Sequence, residues 1–304
     1  MTTTQTVSLC GLGNMGSAIA DRLLPLPHLR GFDRDVSRRA SAAQRGVAVV
    51  NGLNDLAPTD FLVLSLPTPA VSRLVVEQLS SRLSNQSVVI ETSTVNPDDM
   101  RSLERILAPS GASLLDAAIL SGVDGMRSGS STLLVGGDDD TVERARPVLT
   151  MMSGSVNHVG PLTTGMAAKV INNAVAHSVM VVLVEALSLA RASGIELTEV
   201  IGLLSDREGG LIRPLTHRIA ERVMQGNFDG GMPTEAARKD STLALALAQS
   251  VEVPLFAMQA THTVYEMAMA EGLARFDYAS IATMWEKWIG NSFSPERQTV
   301  DTEK

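Results

Sequence analysis

"TVSLCGLGNMGSAIADRLL", Thr6 to Leu24, decides how this chain is read. Thr6–Cys10 has the apolar run of a short buried strand, and "SAIADRLL" has the spacing of a helix. Between them Gly11, Gly13 and Gly16 form G-x-G-x-x-G, with Leu12, Asn14 and Met15 filling the loop. The first glycine permits the tight turn and the second lets the backbone approach a pyrophosphate. The third lets the helix pack close to the strand, so that its N-terminus faces the anion. A bare match of this kind also describes an ordinary glycine-rich turn, so a second feature has to support it.

Asp33 is that feature. It ends a second predicted strand, "RGFDRD", about 20 residues beyond Gly11. An acidic side chain there accepts hydrogen bonds from a ribose diol and repels a 2′-phosphate, which favours NAD over NADP. Arg34, Arg38 and Arg39 pull the other way, because a basic cluster accepts a phosphate. A solvated helix face is the plainer reading of Arg38 and Arg39.

Further strands follow at "DFLVLSLP", "SVVIETST", "ASLLDAAIL" and "STLLVGG", separated by helical stretches. That alternation predicts βαβ units and a parallel, doubly wound sheet of the Rossmann type. From about Pro161 strand-like runs vanish and helical patterns take over. The first runs from about Gly165 to Ser193 and stops at Gly194, a C-cap residue. At 1.5 Å per residue it would be roughly 40 Å long, enough to leave one domain and become the spine of the next. The expected fold is therefore α/β: a dinucleotide-binding domain over 1–160, an all-helical domain over 161–291 joined by the long helix, and a polar tail over 292–304.

The bulk numbers bound the partners. The chain has 304 residues, 44% hydrophobic and 19% charged, with a net charge of −8. It can bury a real core, and its acidity argues against nucleic acid or an anionic membrane surface as main partner. Cys10 is the single cysteine, so no disulfide forms within the chain, which fits a reducing cytoplasm. It reads as a small buried residue. "MTTTQTVSLC" has no signal-peptide pattern. The apolar run "AVAHSVMVVLVEALSLA" is broken by His177 and Glu185, which suits a buried helix better than a membrane span. The five histidines form no ligand pair, so no metal site is expected.

Inside the long helix, "GMAAKVINNAVAH" places a charge and two amides in apolar surroundings. Burying an unpaired ammonium costs several kcal/mol, so Lys169 needs water or a partner. Lys169 and Asn173 are i and i+4 and share one face. Facing a cleft, a desolvated lysine serves as general acid or base for an alcohol whose carbon exchanges hydride with nicotinamide. At the edge of a helix, it would merely reach out to water. Spacing alone leaves both readings open.

Five blocks in order resemble the β-hydroxyacid dehydrogenase family, from Val7 to about Ile289. They are "GLGNMG", "ETSTVNP", "LLDAAILSGVDGMRSGSSTLLVGGDD", "GPLTTGMAAKVINN" and "RKDSTLALALA". The resemblance implies Lys169 as the catalytic lysine, Asn173 as its partner, Thr94 near the nicotinamide and Lys239 reaching toward the cofactor. The candidate cofactor set is completed by Leu66 and Pro67 at the end of the third predicted strand. It also implies a small-molecule substrate, a small 3-hydroxy acid or the matching semialdehyde, and a homodimer or homotetramer.

One departure matters. Where the family reads D-A-P-V-S-G-G, this chain has Asp116, Ala117, Ala118, Ile119, Leu120, Ser121, Gly122. Leu120 stands where a serine helps hold the substrate carboxylate, and Leu120, Ser121 and Gly122 would line the substrate end. Either the substrate is bulkier or less polar there, or its acid group is held by Ser121, by backbone amides or by an arginine such as Arg213. Two rivals remain: an imine reductase on the same scaffold and a non-catalytic dinucleotide-binding module. Relatives of both kinds generally lack the lysine that this chain keeps.

Overall fold

The structure is a computed structural model in which residues 5–294 are described. The chain divides into two compact units, Met1–Ala174 and Val175–Lys304. The polar tail expected over 292–304 lies mostly outside the described residues.

The first unit is built on one sheet in the order β3-β2-β1-β4-β5-β6-β7-β8. Its strands are β1 (Val7–Cys10), β2 (Leu29–Phe32), β3 (Ala48–Val49), β4 (Phe61–Leu64), β5 (Val88–Glu91), β6 (Ser113–Leu120), β7 (Thr132–Gly136) and β8 (Ser155–Gly160). Helices cover both faces: α1 (Asn14–Leu23), α2 (Val36–Gln44), α3 (Pro69–Leu79), α4 (Pro97–Leu107), α5 (Val123–Ser128) and α6 (Asp139–Met152). β1, β4 and β5 are buried at every position, which is why they read as continuous apolar runs rather than alternating ones. One core layer packs Ile19 and Leu23 of α1 and Val148 of α6 on one face, while Val76 of α3 and Leu103 of α4 pack on the other. Each such side chain stabilises the fold by about 1.5–3 kcal/mol.

Three features differ from expectation. β3 and β8 had no strand signal, since β3 has only two residues and β8, "SVNHVG", is a largely exposed edge strand. The sheet is not wholly parallel, because β6 pairs antiparallel with β7. Only the short α5 joins them, and a parallel return needs a crossover of a dozen or more residues. The apolar run expected to be buried is instead exposed. It lies in α7 (Thr164–Ala192), where Val175, Met180 and Val184 are 50–60% accessible. This helix is long and apolar enough to cross a membrane by length and composition. Its Glu185, however, is buried and accepts the backbone N–H groups of Ala257 and Met258 at 2.7 and 3.3 Å.

The division between the units falls within α7. The second unit continues with α8 (Leu197–Ser205), a π-helical stretch Pro214–Val223, α9 (Thr234–Ser250), α10 (Phe256–Ala270) and α11 (Ala282–Ile289). Its polar centre is the fully buried Asp277, which faces Arg218 at 3.2 Å and Arg222 at 3.5 Å and accepts the N–H groups of Met232 and Ala279.

β1 pairs with both β2 and β4, so the strand order reverses between β1 and β4. In such sheets the ligand crevice opens at the carboxyl ends of the strands at that reversal. The glycine loop follows β1 and Ser65–Pro67 follows β4. A Cβ on Gly16 would lie 2.0 Å from the carbonyl oxygen of Gly11, whereas one on Gly122 would meet nothing within 4 Å. Gly16→Ala should therefore destabilise the protein by about 1–3 kcal/mol, a fall of several degrees in a thermal melt. Gly122→Ala should leave the melting temperature where it was; equal melts for the two variants would contradict the packing described.

Candidate active site

Gly11 takes φ +98°, and its N–H donates to Phe32 O at 2.8 Å. A Cβ there would sit 2.1 Å from Ser65 O, so only glycine lets the loop pass this carbonyl. Gly13 precedes α1 as its N-cap. A Cβ on it would meet only the Arg38 guanidinium, 3.5 Å away. The surface above Gly13 is thus open, and the first-turn amides of α1, which lack partners within the helix, face it. A crevice of about 470 Å³ runs from Gly13–Gly16 to Asp33 and Arg34 on one side and Leu66 and Pro67 on the other. These glycines, the open helix start and the acidic side chain fit a dinucleotide.

Asp33 has a structural task that its spacing did not reveal. It is buried; its Oδ2 accepts Leu12 N–H at 2.8 Å and its Oδ1 accepts Asp35 N–H at 2.9 Å. The carboxylate therefore pins the glycine loop to the end of β2. Each oxygen keeps a further lone pair for a ribose hydroxyl. Arg34 is exposed at the rim, and Arg38 lies 3.6 Å from Asp33 Oδ2. Arg39 is not part of a solvated face. Its guanidinium donates to the backbone oxygens of Asp33 and Arg34 and lies over the Phe32 ring.

The loops after β4 and β5 are tied together. Leu66 N–H donates to Ser93 Oγ at 2.8 Å, and Ser93 N–H donates to Glu91 Oε1 at 2.8 Å. Thr94 follows, exposed. Glu91 is fully buried and its Oε2 makes no hydrogen bond. Burial pushes its pKa up to about 7, against the pull of Ser93 and Ser72. Cys10 lies in the floor of the crevice, where burial, then Asp33 and Glu91, push its thiol up to about 12. It is no nucleophile at neutral pH.

Asp116, on β6 beside Glu91, is also fully buried. Its two oxygens accept the N–H groups of Thr163 and Met166 at the start of α7, at 2.8 and 2.6 Å. Lys169 follows one turn later, half-buried, and burial alone holds its ammonium below the ordinary lysine value. Asn173 is half-buried on the same face, while Asn172 is exposed. Glu91 and Asp116 were not singled out as site residues. Their signal was an acidic residue in an apolar strand, at the end of "VVIE" and inside "SLLDAAIL".

At the expected substrate end, Leu120 closes β6 half-buried and Gly122 is exposed. The Ser121 hydroxyl is buried without a hydrogen bond, and its Cβ would lie 2.9 Å from a Cβ on Gly125, so it is turned against the first turn of α5. Arg213 forms an ion pair with Glu208 at the surface. Lys239 lies on α9 in the second unit, exposed and 2.9 Å from Asp240. His158 bridges the carbonyls of Gly137 and Gly160.

A glycine loop at the sheet reversal, an acidic strand end and a lysine on the next long helix define an NAD(P)-dependent oxidoreductase. Comparison with known proteins agrees. Residues 6–160 match the NAD binding domain of 6-phosphogluconate dehydrogenase, and residues 163–285 match the NAD-binding region of NADP-dependent 3-hydroxyisobutyrate dehydrogenase. The chain is 29% identical to 2-(hydroxymethyl)glutarate dehydrogenase of Eubacterium barkeri, over 95% of this chain and 97% of that protein. It is 30% identical to a probable 3-hydroxyisobutyrate dehydrogenase of Mycobacterium tuberculosis, over 79% of this chain and 84% of that one. Its fold matches an imine reductase of Myxococcus stipitatus with a TM-score of 0.83 at 21% identity, covering 91% and 98% of the two chains. The chain belongs to the β-hydroxyacid dehydrogenase family.

The raised Glu91 carboxyl has a thermodynamic consequence. Its folded pKa of about 7 exceeds the ordinary 4.5, so the folded state binds the extra proton. Its stabilising contribution is complete below pH 4.5 and is lost as pH rises through about 7. The loss is on the order of 3 kcal/mol. Glu91→Gln should therefore flatten the decline in melting temperature between about pH 5 and pH 8; parallel curves for variant and parent would refute the assignment.

Proposed function

We propose that this protein catalyses the reversible NAD-dependent oxidation of a small 3-hydroxy acid carrying an alkyl substituent, with Lys169 as general acid/base. The observation that carries this reading is the half-buried lysine near the start of α7, its ammonium weakened by burial. Bound nicotinamide supplies the hydride acceptor or donor. In the oxidation direction, neutral Lys169 takes the hydroxyl proton as the carbinol carbon gives up its hydride. In the reverse direction the ammonium returns that proton to the carbonyl oxygen. Asn173, one turn on, positions the amine or the substrate oxygen. Gly11, Gly13, Gly16 and Asp33 hold the dinucleotide, with Thr94 beside the nicotinamide; Lys239 is a further cofactor contact that the family resemblance implies.

The named relatives act on hydroxy acids, which supports an acid substrate. Leu120 in the serine position and the inward turn of Ser121 argue for an apolar substituent at that end. The open backbone at Gly122 is then the nearest holder for the carboxylate. Asp33, with its remaining lone pairs, supports NAD over NADP.

We also propose a homodimer or homotetramer in the cytoplasm. Among the described residues of the second unit, the large buried apolar side chains are Val223, Phe228 and Met284, while α7 exposes Val181, Val182 and Val184. A unit with so small a core gains from covering that stripe. The single thiol, buried and unpaired, suits a reducing compartment.

Reduction of NAD⁺ on a panel of 3-hydroxy acids, uncharged alcohols and cyclic imines tests the chemistry. Hydroxy acids should turn over, kcat/KM should favour NAD⁺ over NADP⁺, and Lys169→Ala should lose at least about 10²-fold in kcat. The oxidation rate should climb with pH as the Lys169 amine deprotonates, from below the ordinary lysine range. Imine turnover without hydroxy-acid turnover, or a fully active Lys169→Ala, would overturn the reading. Light scattering should give a multiple of the 32.2 kDa chain mass, and Val181→Glu should shift it toward the monomer; a monomeric parent protein rejects the oligomer.

A further inference from the structure

We infer that Asp116 is the positioning residue for Lys169: from β6 it supplies the cap that α7 lacks and thereby sets where the lysine stands. The inference rests on the catalytic reading of Lys169 and extends it to a group that does not touch substrate.

A helix begins with N–H groups that have no acceptor inside it, and a Ser, Thr, Asp or Asn just before the first turn normally supplies one. α7 has no such local cap. Thr163, the preceding residue, is held at φ +89°, and Thr164 spends its hydroxyl on Pro161 O. The acceptors come instead from a strand about 50 residues earlier in the chain. Asp116 Oδ1 takes Thr163 N–H and Oδ2 takes Met166 N–H. The carboxylate is fully buried, and a negative charge at a helix N-terminus is favoured by the helix dipole.

The surroundings are shaped for that carboxylate. A Cβ on Gly136 would lie 2.6 Å from Asp116 Oδ1, and one on Gly165 would lie 2.7 Å from Oδ2 and 2.5 Å from Leu134 O. Glycine at both places lets the strand, the carboxylate and the helix start close together. Lys169 is three residues beyond Met166, so a displaced first turn carries the lysine with it. Glu91, the neighbour of Asp116 across the β5–β6 pair, holds Ser93 in the same way. Two adjacent buried carboxyls on neighbouring interior strands therefore fix the Thr94 loop and the lysine helix to the sheet.

Asp116→Asn tests this, because an amide keeps the volume but accepts with one atom only. The variant should lose about 10–100-fold in kcat, while NAD⁺ affinity measured by calorimetric titration stays within about twofold. The pH at which kcat rises should move up toward the ordinary lysine value of 10.5, since burial is what lowers Lys169 and a released turn exposes it. A merely structural role would reduce the active fraction without moving that pH. Unchanged kcat, an unmoved pH limb, or a parallel loss of NAD⁺ affinity overturns the inference. If Asp116→Asn does not fold, Gly136→Ala crowds the same carboxylate and is held to the same readouts. Should the pH limb persist in Lys169→Ala, the lysine reading itself falls, and this inference with it. If that limb vanishes there but does not move in the Asp116 variant, only the inference falls.

Discussion

Everything at the crevice depends on one close passage, the backbone of Gly11 moving beside the carbonyl of Ser65. Strands β1 and β4 part at Cys10 and Leu64, and the chain leaving β1 has to turn there without a side chain. That passage lets α1 begin immediately and brings Gly16 against Gly11 O. The same constraint leaves Gly13 bare on the outside, where a phosphate has room. Asp33 then locks the loop to β2 through the Leu12 amide, so the side chain at the strand end also sets the loop's shape.

A parallel sheet buried on both faces should be apolar throughout, yet its registered row Cys10–Leu64–Glu91–Asp116 carries two acids and a thiol. Burying carboxyls costs several kcal/mol each unless they are bonded or neutral. The two solve this differently. Asp116 accepts two short N–H bonds, although burial still keeps its carboxyl above the usual range. Glu91 has one such bond and an unmatched second oxygen, and it holds a proton up to near neutral pH. Each stands where it accepts the backbone N–H of a loop or helix start.

The sheet and glycine loop were legible because each rests on local pattern: apolar runs for β1, β4 and β5, and glycines at fixed spacing before α1. The length of α7 was legible for the same reason, from Gly165 to Gly194. What escaped was non-local. β3 and β8 exist only because neighbours pair with them, and the reversal of β7 follows from the short span of α5. Arg39 reads as one of several helix-face arginines until its contacts with Asp33 O and Phe32 are seen. Asp116 reads as an acid inside a strand, since its partners Thr163 and Met166 lie far along the chain. Ser121 reads as a hydroxyl offered to substrate, yet the turn into α5 draws it inward. The apolar stripe of α7 was legible as apolar, but hydropathy does not say what covers it.

The placement of Cys10 bears on chemical durability. Alkylating agents and peroxides attack the thiolate form of cysteine. With the thiol pushed up to about 12 beneath two acidic neighbours, that form is scarcely populated in any cellular medium. This is the chain's single sulfhydryl. A protein whose work is moving reducing equivalents thus keeps its own cysteine sulfur out of that traffic, and its crevice floor is unresponsive to shifts in thiol redox balance.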